Sequence, residues 1–225
     1  MTEFFVDWVP TPQIEAVEAA VREHFADSPR RFEHSIGCAQ TAVLMAELYG
    51  ADKNNAALAG LLHDWDKTLD AKDLRTQAKE TSSGLTQAQI ESGLFDPILH
   101  AVVGAETIKK KYPLMSPEVY SAIAKHTVGD SDMSPLDAII YIADIIEPTR
   151  GIVAGDTKDL SKTTQQQQRY QAFLAGLRES VGVSSLSQLL LAAYRHNIIY
   201  LLETSKVLYP HSASIYNALL VGENV

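Results

Sequence analysis

Residues 135–147 read PLDAIIYIADIIE, a helical pattern that is apolar nearly all round. A segment of that kind cannot lie on a surface, so other helices must enclose it. It also carries Asp144 in the middle of its apolar run. A carboxylate taken out of water costs on the order of several kcal/mol unless a partner meets it. The local sequence offers no cation until Arg150, beyond the proline that stops the helix. The chain must therefore bring positive charge or a metal ion into its own core. At 225 residues and 46% hydrophobic it has the material to build one.

The rest of the chain supplies helices to surround it. Thr11-Pro12, Ser28-Pro29, Ser116-Pro117 and Ser134-Pro135 each place a side-chain acceptor at an N-cap and proline at the first helical position, where its missing N–H costs nothing. Asp52 offers another cap, and Gly50 a stop before it. Periodicity between these marks predicts helices over 12–26, 29–49, 53–65, 70–80, 86–93, 97–111, 117–127, 135–147, 163–181, 184–206 and 212–221. The segment 148–162 reads as a loop, and QQQQ at 165–168 as a helical surface; FFVDWV at 4–9 is the one weak strand pattern. The fold class is all-α, a helical bundle with a C-terminal helical extension. The expected division is an N-terminal segment and first helix at 1–27, a core at 28–150, and an extension of the same domain at 151–225.

A net charge of −9 argues against a nucleic-acid partner held through a basic face. A small anion remains compatible, because a few cations in a cleft outweigh the global field locally. The longest uncharged apolar runs fall short of the roughly 18 residues of a membrane span, and MTEFFVDWVPTPQ lacks the features of a secretory signal, so no membrane partner is expected. The single cysteine, Cys38, reads as a small buried residue in a protein of the reducing cytoplasm.

Seven histidines sort by their surroundings. His34 lies on a helix otherwise rich in packing residues, where a satisfied core histidine is the commonplace alternative to a ligand. His63-Asp64 follows the apolar AGLL, and a polar helix end is the plain reading in isolation. Together with Asp144, however, His34, His63 and Asp64 form a mixed imidazole and carboxylate set, which suits a transition-metal ion better than calcium. Adjacent helical residues point about 100° apart. His63 and Asp64 can thus serve one ion only at a distorted turn, or if Asp64 bridges to a second. His100 and His126, each at the polar edge of an apolar run, fit that second ion, though each alone reads as structural. His24 and His211 look solvated, and His196 looks like a packing residue. Lys67, one helical turn beyond His63, either faces the same cleft or is an ordinary solvated lysine. Asp66 either orients a ligand or is a surface carboxylate.

The set RFEHSIG, AGLLHDWDK, LHAVVGAE, KHTVGDSDMSPLDAIIYIADIIEPTR and NIIYLLE resembles the YqeK-type branch of the HD-domain phosphohydrolases, symmetrical bis(5′-nucleosyl)-tetraphosphatases, over most of residues 30–210. The resemblance implies a helical HD-domain bundle whose dinuclear centre favours iron, with manganese or cobalt as substitutes, and whose metal-activated hydroxide splits diadenosine tetraphosphate into two ADP. It implies His34, His63, Asp64 and Asp144 as metal ligands, with His100 and His126 at the second ion and the phosphates. It implies Asp64, Lys67, His100 and His126 as the catalytic group, and Arg31, Lys67, Thr127 and Arg150 as nucleotide contacts. Val128 and Tyr209-Pro210-His211 depart from the family pattern, and both bear on nucleotide contacts rather than on the metal.

The chemistry agrees: cutting a phosphoanhydride in a highly charged substrate needs a strong nucleophile and cations on the developing charge, which two metals about 3.5–4 Å apart supply. Two other readings stay open, another HD-type nucleotide phosphohydrolase or phosphodiesterase, and a non-catalytic helical binding module stapled by its metal. The oligomeric state is open as well, a dimer among the options.

Overall fold

The helix α8 (Pro135–Ile146) sits at the centre of the computed structural model, which describes residues 9–150 and 164–222. Its residues from Leu136 to Ala143 are all buried. Around it lie α1 (Pro12–His24), α2 (Pro29–Tyr49), α3 (Lys53–Leu62), a short 3-10 turn (Trp65–Thr68), α4 (Ala71–Ala78), α5 (Gln87–Glu91), α6 (Asp96–Lys111), α7 (Pro117–Lys125), α9 (Gln165–Glu179), α10 (Leu186–Glu203) and α11 (Ser212–Leu220). No strand occurs among the described residues, and the protein is all-α. The weak strand pattern at 4–9 and most of the 148–162 loop lie outside the described residues.

The caps behave as the sequence predicts, with one exception. Thr11, Asp52, Ser116 and Ser134 each accept a backbone N–H from the first turn of their helix. At Ser134 the arrangement is reciprocal, since Asp137 accepts the cap's own N–H. Ser28 makes no such bond, because its backbone has turned away from the extended conformation that aims the hydroxyl at the helix. Gly50 ends α2 in the left-handed region at φ 78°, where glycine carries no steric penalty.

α2 and α3 pack tightly on one another and both on α8. A Cβ at Gly60 would stand 2.6 Å from the Ala39 Cα, so glycine is what permits the α2–α3 approach. α7 and α10 close two further sides of α8, α9 touches it as well, and α1 packs on α3. A smaller apolar cluster, Leu74, Ala78, Ile90, Leu99 and Val103, ties α4 and α5 to α6. No helix among the described residues is long and apolar enough to cross a membrane.

Candidate metal centre

α3 stops at Leu62, short of residue 65 where the pattern predicted its end. The chain leaves helical geometry at Asp64 (φ −100°, ψ 17°) and re-enters as a 3-10 turn. A distorted turn is one of the two ways in which the adjacent His63 and Asp64 can serve a common site, and it aims both inward. His63 is fully buried and Asp64 nearly so.

The Asp64 carboxylate separates two groups of imidazoles. Its Oδ2 lies 3.8 Å from His63 Nε2 and 4.0 Å from His34 Nε2. Its Oδ1 lies 3.1 Å from His100 Nε2 and 3.6 Å from His126 Nε2. Asp144 completes the first group, with Oδ1 2.9 Å from His34 Nε2 and 3.6 Å from His63 Nε2. Potential ligand atoms of His34, His63 and Asp64, of His63, His126 and Asp144, and of Asp64, His100 and His126 each fall within 4.8 Å of one another.

The protonation pattern tests whether these residues suit a metal. His63 Nδ1 donates to the Gly60 carbonyl at 2.8 Å and His126 Nδ1 to the Ile123 carbonyl at 2.7 Å, because a carbonyl can only accept. His34 Nδ1 donates to Glu147 Oε1 at 3.0 Å. Once neutral, as a ligand must be, each of these three rings turns its Nε2 lone pair inward, and His34 Nε2 and His63 Nε2 face one another at 3.1 Å. His100 Nε2 and His126 Nε2 also approach to 3.1 Å. Opposed lone pairs repel unless a cation lies between them, and a donor set of nitrogens with carboxylates selects a transition metal. The residues fit a divalent metal centre.

Electrostatics follow the same plan. Burial works against the Asp64 charge, but His63, His100, His126 and Lys67 hold its carboxyl far below the usual range. Burial likewise opposes the Asp144 charge, and Arg150, His34 and His63 overcome it. Burial pulls the His100 imidazole down to about 4, which keeps it neutral and able to act as a ligand. Burial lowers Lys67 as well, against the pull of Asp64 and Asp144.

Cations rim the cluster. Arg31 Nη1 is 3.8 Å from Asp64 Oδ2, and Lys67 Nζ is 3.9 Å from Asp64 Oδ1 and 3.0 Å from His100 Nε2. Lys67 reaches the cleft from the 3-10 turn, three residues past Asp64, rather than along an α-helical face from His63. Arg150 binds Asp144 twice, through Nη2 to Oδ1 at 2.5 Å and Nε to the backbone carbonyl at 2.8 Å. The Thr127 hydroxyl lies 3.1 Å from His126 Nε2. All ten residues singled out in the sequence thus converge on one cleft.

One reading needs correction, and one solvated histidine has a further contact. Asp66 neither orients a ligand nor faces solvent: it is buried and accepts a hydrogen bond from the Thr107 hydroxyl at 2.5 Å, linking the 3-10 turn to α6. His24 is exposed but not idle, since its ring stacks on Trp65 at 3.9 Å and its Nε2 bonds the Trp65 carbonyl at 2.8 Å. His196 packs as expected, parallel to Phe173.

Sequence reasoning missed Glu147 and Arg178. Glu147, fully buried, takes hydrogen bonds from the Thr149 backbone and hydroxyl as well as from His34. A Cβ at Gly37 would come within 2.5 Å of its Oε2, so glycine makes room for this carboxylate. Arg178 binds the carbonyls of Ile146, Glu147 and Arg150, fixing the turn that presents Arg150. The acid just before the proline was the one visible hint of Glu147. Arg178 looked like any charge near a helix end.

Known proteins resemble this chain along most of its length. A symmetrical bis(5′-nucleosyl)-tetraphosphatase of Halalkalibacterium halodurans is 32% identical, the match covering 90% of this chain and 95% of that protein. One of the same name from Bacillus subtilis is 24% identical over 91% of this chain and 96% of its own. The crystal structure of a predicted HD superfamily hydrolase involved in NAD metabolism, from Clostridium acetobutylicum, superposes with a TM-score of 0.73 at 26% identity, covering 92% of this chain and 96% of that one. The HD domain model matches residues 31–149, which hold nine of the ten cleft residues, all but Arg150. That matched stretch makes up more than half of the chain, and the chain belongs to the HD domain family.

Proposed function

We propose that this chain hydrolyses dinucleoside polyphosphates in a metal-dependent reaction, splitting diadenosine tetraphosphate into two ADP. The observation that carries the reading is Asp64, whose two oxygens face two separate imidazole groups while Arg31, Lys67 and Arg150 stand around them. The names of the relatives that match nearly end to end support the substrate class.

His34, His63, Asp64 and Asp144 hold one metal ion in this reading, and Asp64, His100 and His126 a second. We assign iron as the metal, with manganese or cobalt able to replace it. A pair of such ions lowers the pKa of water towards neutrality and offsets charge on phosphoryl oxygens. The protein's own groups do the rest. Arg31, Lys67 and Arg150 grip the phosphates, the guanidinium forks matching pairs of phosphoryl oxygens and the ammonium acting as a point charge. The Thr127 hydroxyl donates to a phosphate oxygen. Glu147 keeps the His34 lone pair aimed inward, and Arg178 keeps Arg150 in place. Residues 28–150 form the catalytic core in this account, with 1–27 and 151–225 as extensions of it, in a cytoplasmic setting that suits the lone buried Cys38.

A broader phosphodiesterase acting on polynucleotides fits less well, because a chain of net charge −9 lacks the basic face such a substrate needs. Incubating the metal-loaded protein with diadenosine tetraphosphate, cyclic nucleotides, deoxynucleoside triphosphates and single-stranded RNA separates the readings. Turnover confined to the dinucleotide supports this one, and turnover of RNA or triphosphates alone overturns it.

A further inference from the structure

Two cavities, about 580 and 460 Å³, open near the metal centre, the larger lined by His126 and Asp144 and the smaller approaching it through Thr127. Both fall within the roughly 300–1,000 Å³ of small-molecule sites. They share Thr127, Asn197 and Tyr200, so they are neighbouring chambers divided by one ridge next to His126. The smaller runs past Tyr194 and Tyr209 towards α11. The larger lies between α8, α9 and α10 and reaches inward to Asp144 and Arg150.

The proposed reaction makes a demand that one chamber cannot meet. A dinucleoside tetraphosphate cut at its middle has a nucleoside on each side of the reacting phosphorus, and both are large and aromatic. Resting on the function proposed above, we infer that the larger cavity binds the second nucleoside of the substrate, with its base against the Tyr170–His196 wall and its phosphates leading in past Arg150. The phosphate chain then crosses the ridge at Thr127, where the metal centre lies, and the other nucleoside occupies the chamber beyond.

The lining suits that ligand. His196 lies parallel to Phe173, ring centroids 3.6 Å apart and planes 2° apart, with Tyr170 on the same helix as Phe173 at 5.7 Å and 27°. This is a preformed aromatic wall with apolar neighbours in Ile145 and Ile199. Bases stack on such walls with little regard for identity. Burial lowers His196, so its ring is neutral and takes a stacked base without charge. Polar groups sit at the two ends, Arg150 at the inner one and the Arg169–Glu203 pair, 3.8 Å apart, on exposed side chains. The chamber thus has a cation towards the phosphates and an aromatic face towards the base. Tyr170 and His196 are half-buried and lie outside the central apolar core, so replacing either leaves that core intact.

The test compares two substrates on the metal-loaded full chain, diadenosine tetraphosphate and adenosine 5′-tetraphosphate, which lacks the second nucleoside. Tyr170→Ala and His196→Ala are expected to lower kcat/KM for the dinucleotide about tenfold more than for the mononucleotide, the scale of one lost base-stacking contact. Tyr170→Phe is expected to restore the ratio. If the wild type does not turn over the mononucleotide, its inhibition constant replaces kcat/KM in the comparison. An unchanged ratio in both alanine variants overturns the inference while leaving the proposed reaction standing, as does a wild type that handles both substrates equally. A wild type that leaves the dinucleotide intact removes the underlying reading, and the inference with it.

Discussion

Glu147 Oε1 accepts a hydrogen bond from His34 Nδ1 at 3.0 Å, and this buried contact decides which nitrogen of His34 faces the centre. Carboxylates placed behind a ligating histidine typically change metal affinity or activity about 10–100-fold when removed. Glu147→Gln is therefore expected to weaken metal binding by about that factor in a chelator competition, with the helical circular-dichroism spectrum unchanged. Unaltered affinity would show that the carboxylate serves only the Thr149 turn.

Asp64 faces both imidazole groups, whereas His100 faces one, so their variants should differ in stoichiometry. Asp64→Ala is expected to lose both ions and all turnover, and His63→Ala to lose turnover together with the ion nearest Asp144. His100→Ala should keep that ion and lose the other. Elemental analysis of the purified variants reads this directly, and equal metal content in Asp64→Ala and His100→Ala would contradict a bridging role.

The pH dependence has a definite sign. Burial pulls His34 and His63 down, but in the metal-free chain bonds to Asp144 and Glu147 for the first, and Cys38, Asp64 and Asp144 for the second, carry both above the usual 6.5. A raised folded-state value contributes stability that is complete below 6.5 and lost as pH rises through the folded value. Asp64 and Asp144, both lowered, act only in acid, and His100 at about 4 is already neutral. The Tm of metal-free protein should accordingly fall as pH rises above 6.5, while metal affinity rises over the same window as protons leave the ligands. A metal-free Tm that climbs across that range would contradict the account.

Lys67 and Arg150 lie beside the ligands without belonging to them. Lys67→Ala and Arg150→Ala should retain metal and raise KM or lower kcat, with a combined loss of about 10–100-fold in kcat/KM for a lost charge-assisted contact. Arg178→Ala should produce a milder form of the Arg150 effect, since it acts through the turn that holds Arg150. Loss of metal from the Lys67 variant would place that lysine among the groups that hold the ion.

Polar residues set into apolar runs were the legible part of this site. Asp144 inside IIYIADII and His63-Asp64 after AGLL each break a hydrophobic pattern that has no local use for them, and the angle between adjacent helical residues left either a distorted turn or a bridging Asp64, while the periodicity ran the helix on to residue 65. Helix starts were equally visible, because their Ser/Thr-Pro pairs act within one turn. Contacts made across the fold were not. Asp66 finds Thr107 on another helix and His24 finds the Trp65 ring, neither pairing being written in local sequence. Glu147 was hidden because its value depends on Gly37, a residue from α2 whose missing side chain leaves the space.

The central claim, a two-ion site that cuts the middle of a dinucleoside tetraphosphate, is tested most directly by product analysis in labelled water. Metal-loaded protein and diadenosine tetraphosphate should give ADP alone, with one labelled oxygen in one of each two ADP molecules formed. ATP together with AMP, or no cleavage when iron, manganese or cobalt is supplied, would contradict it.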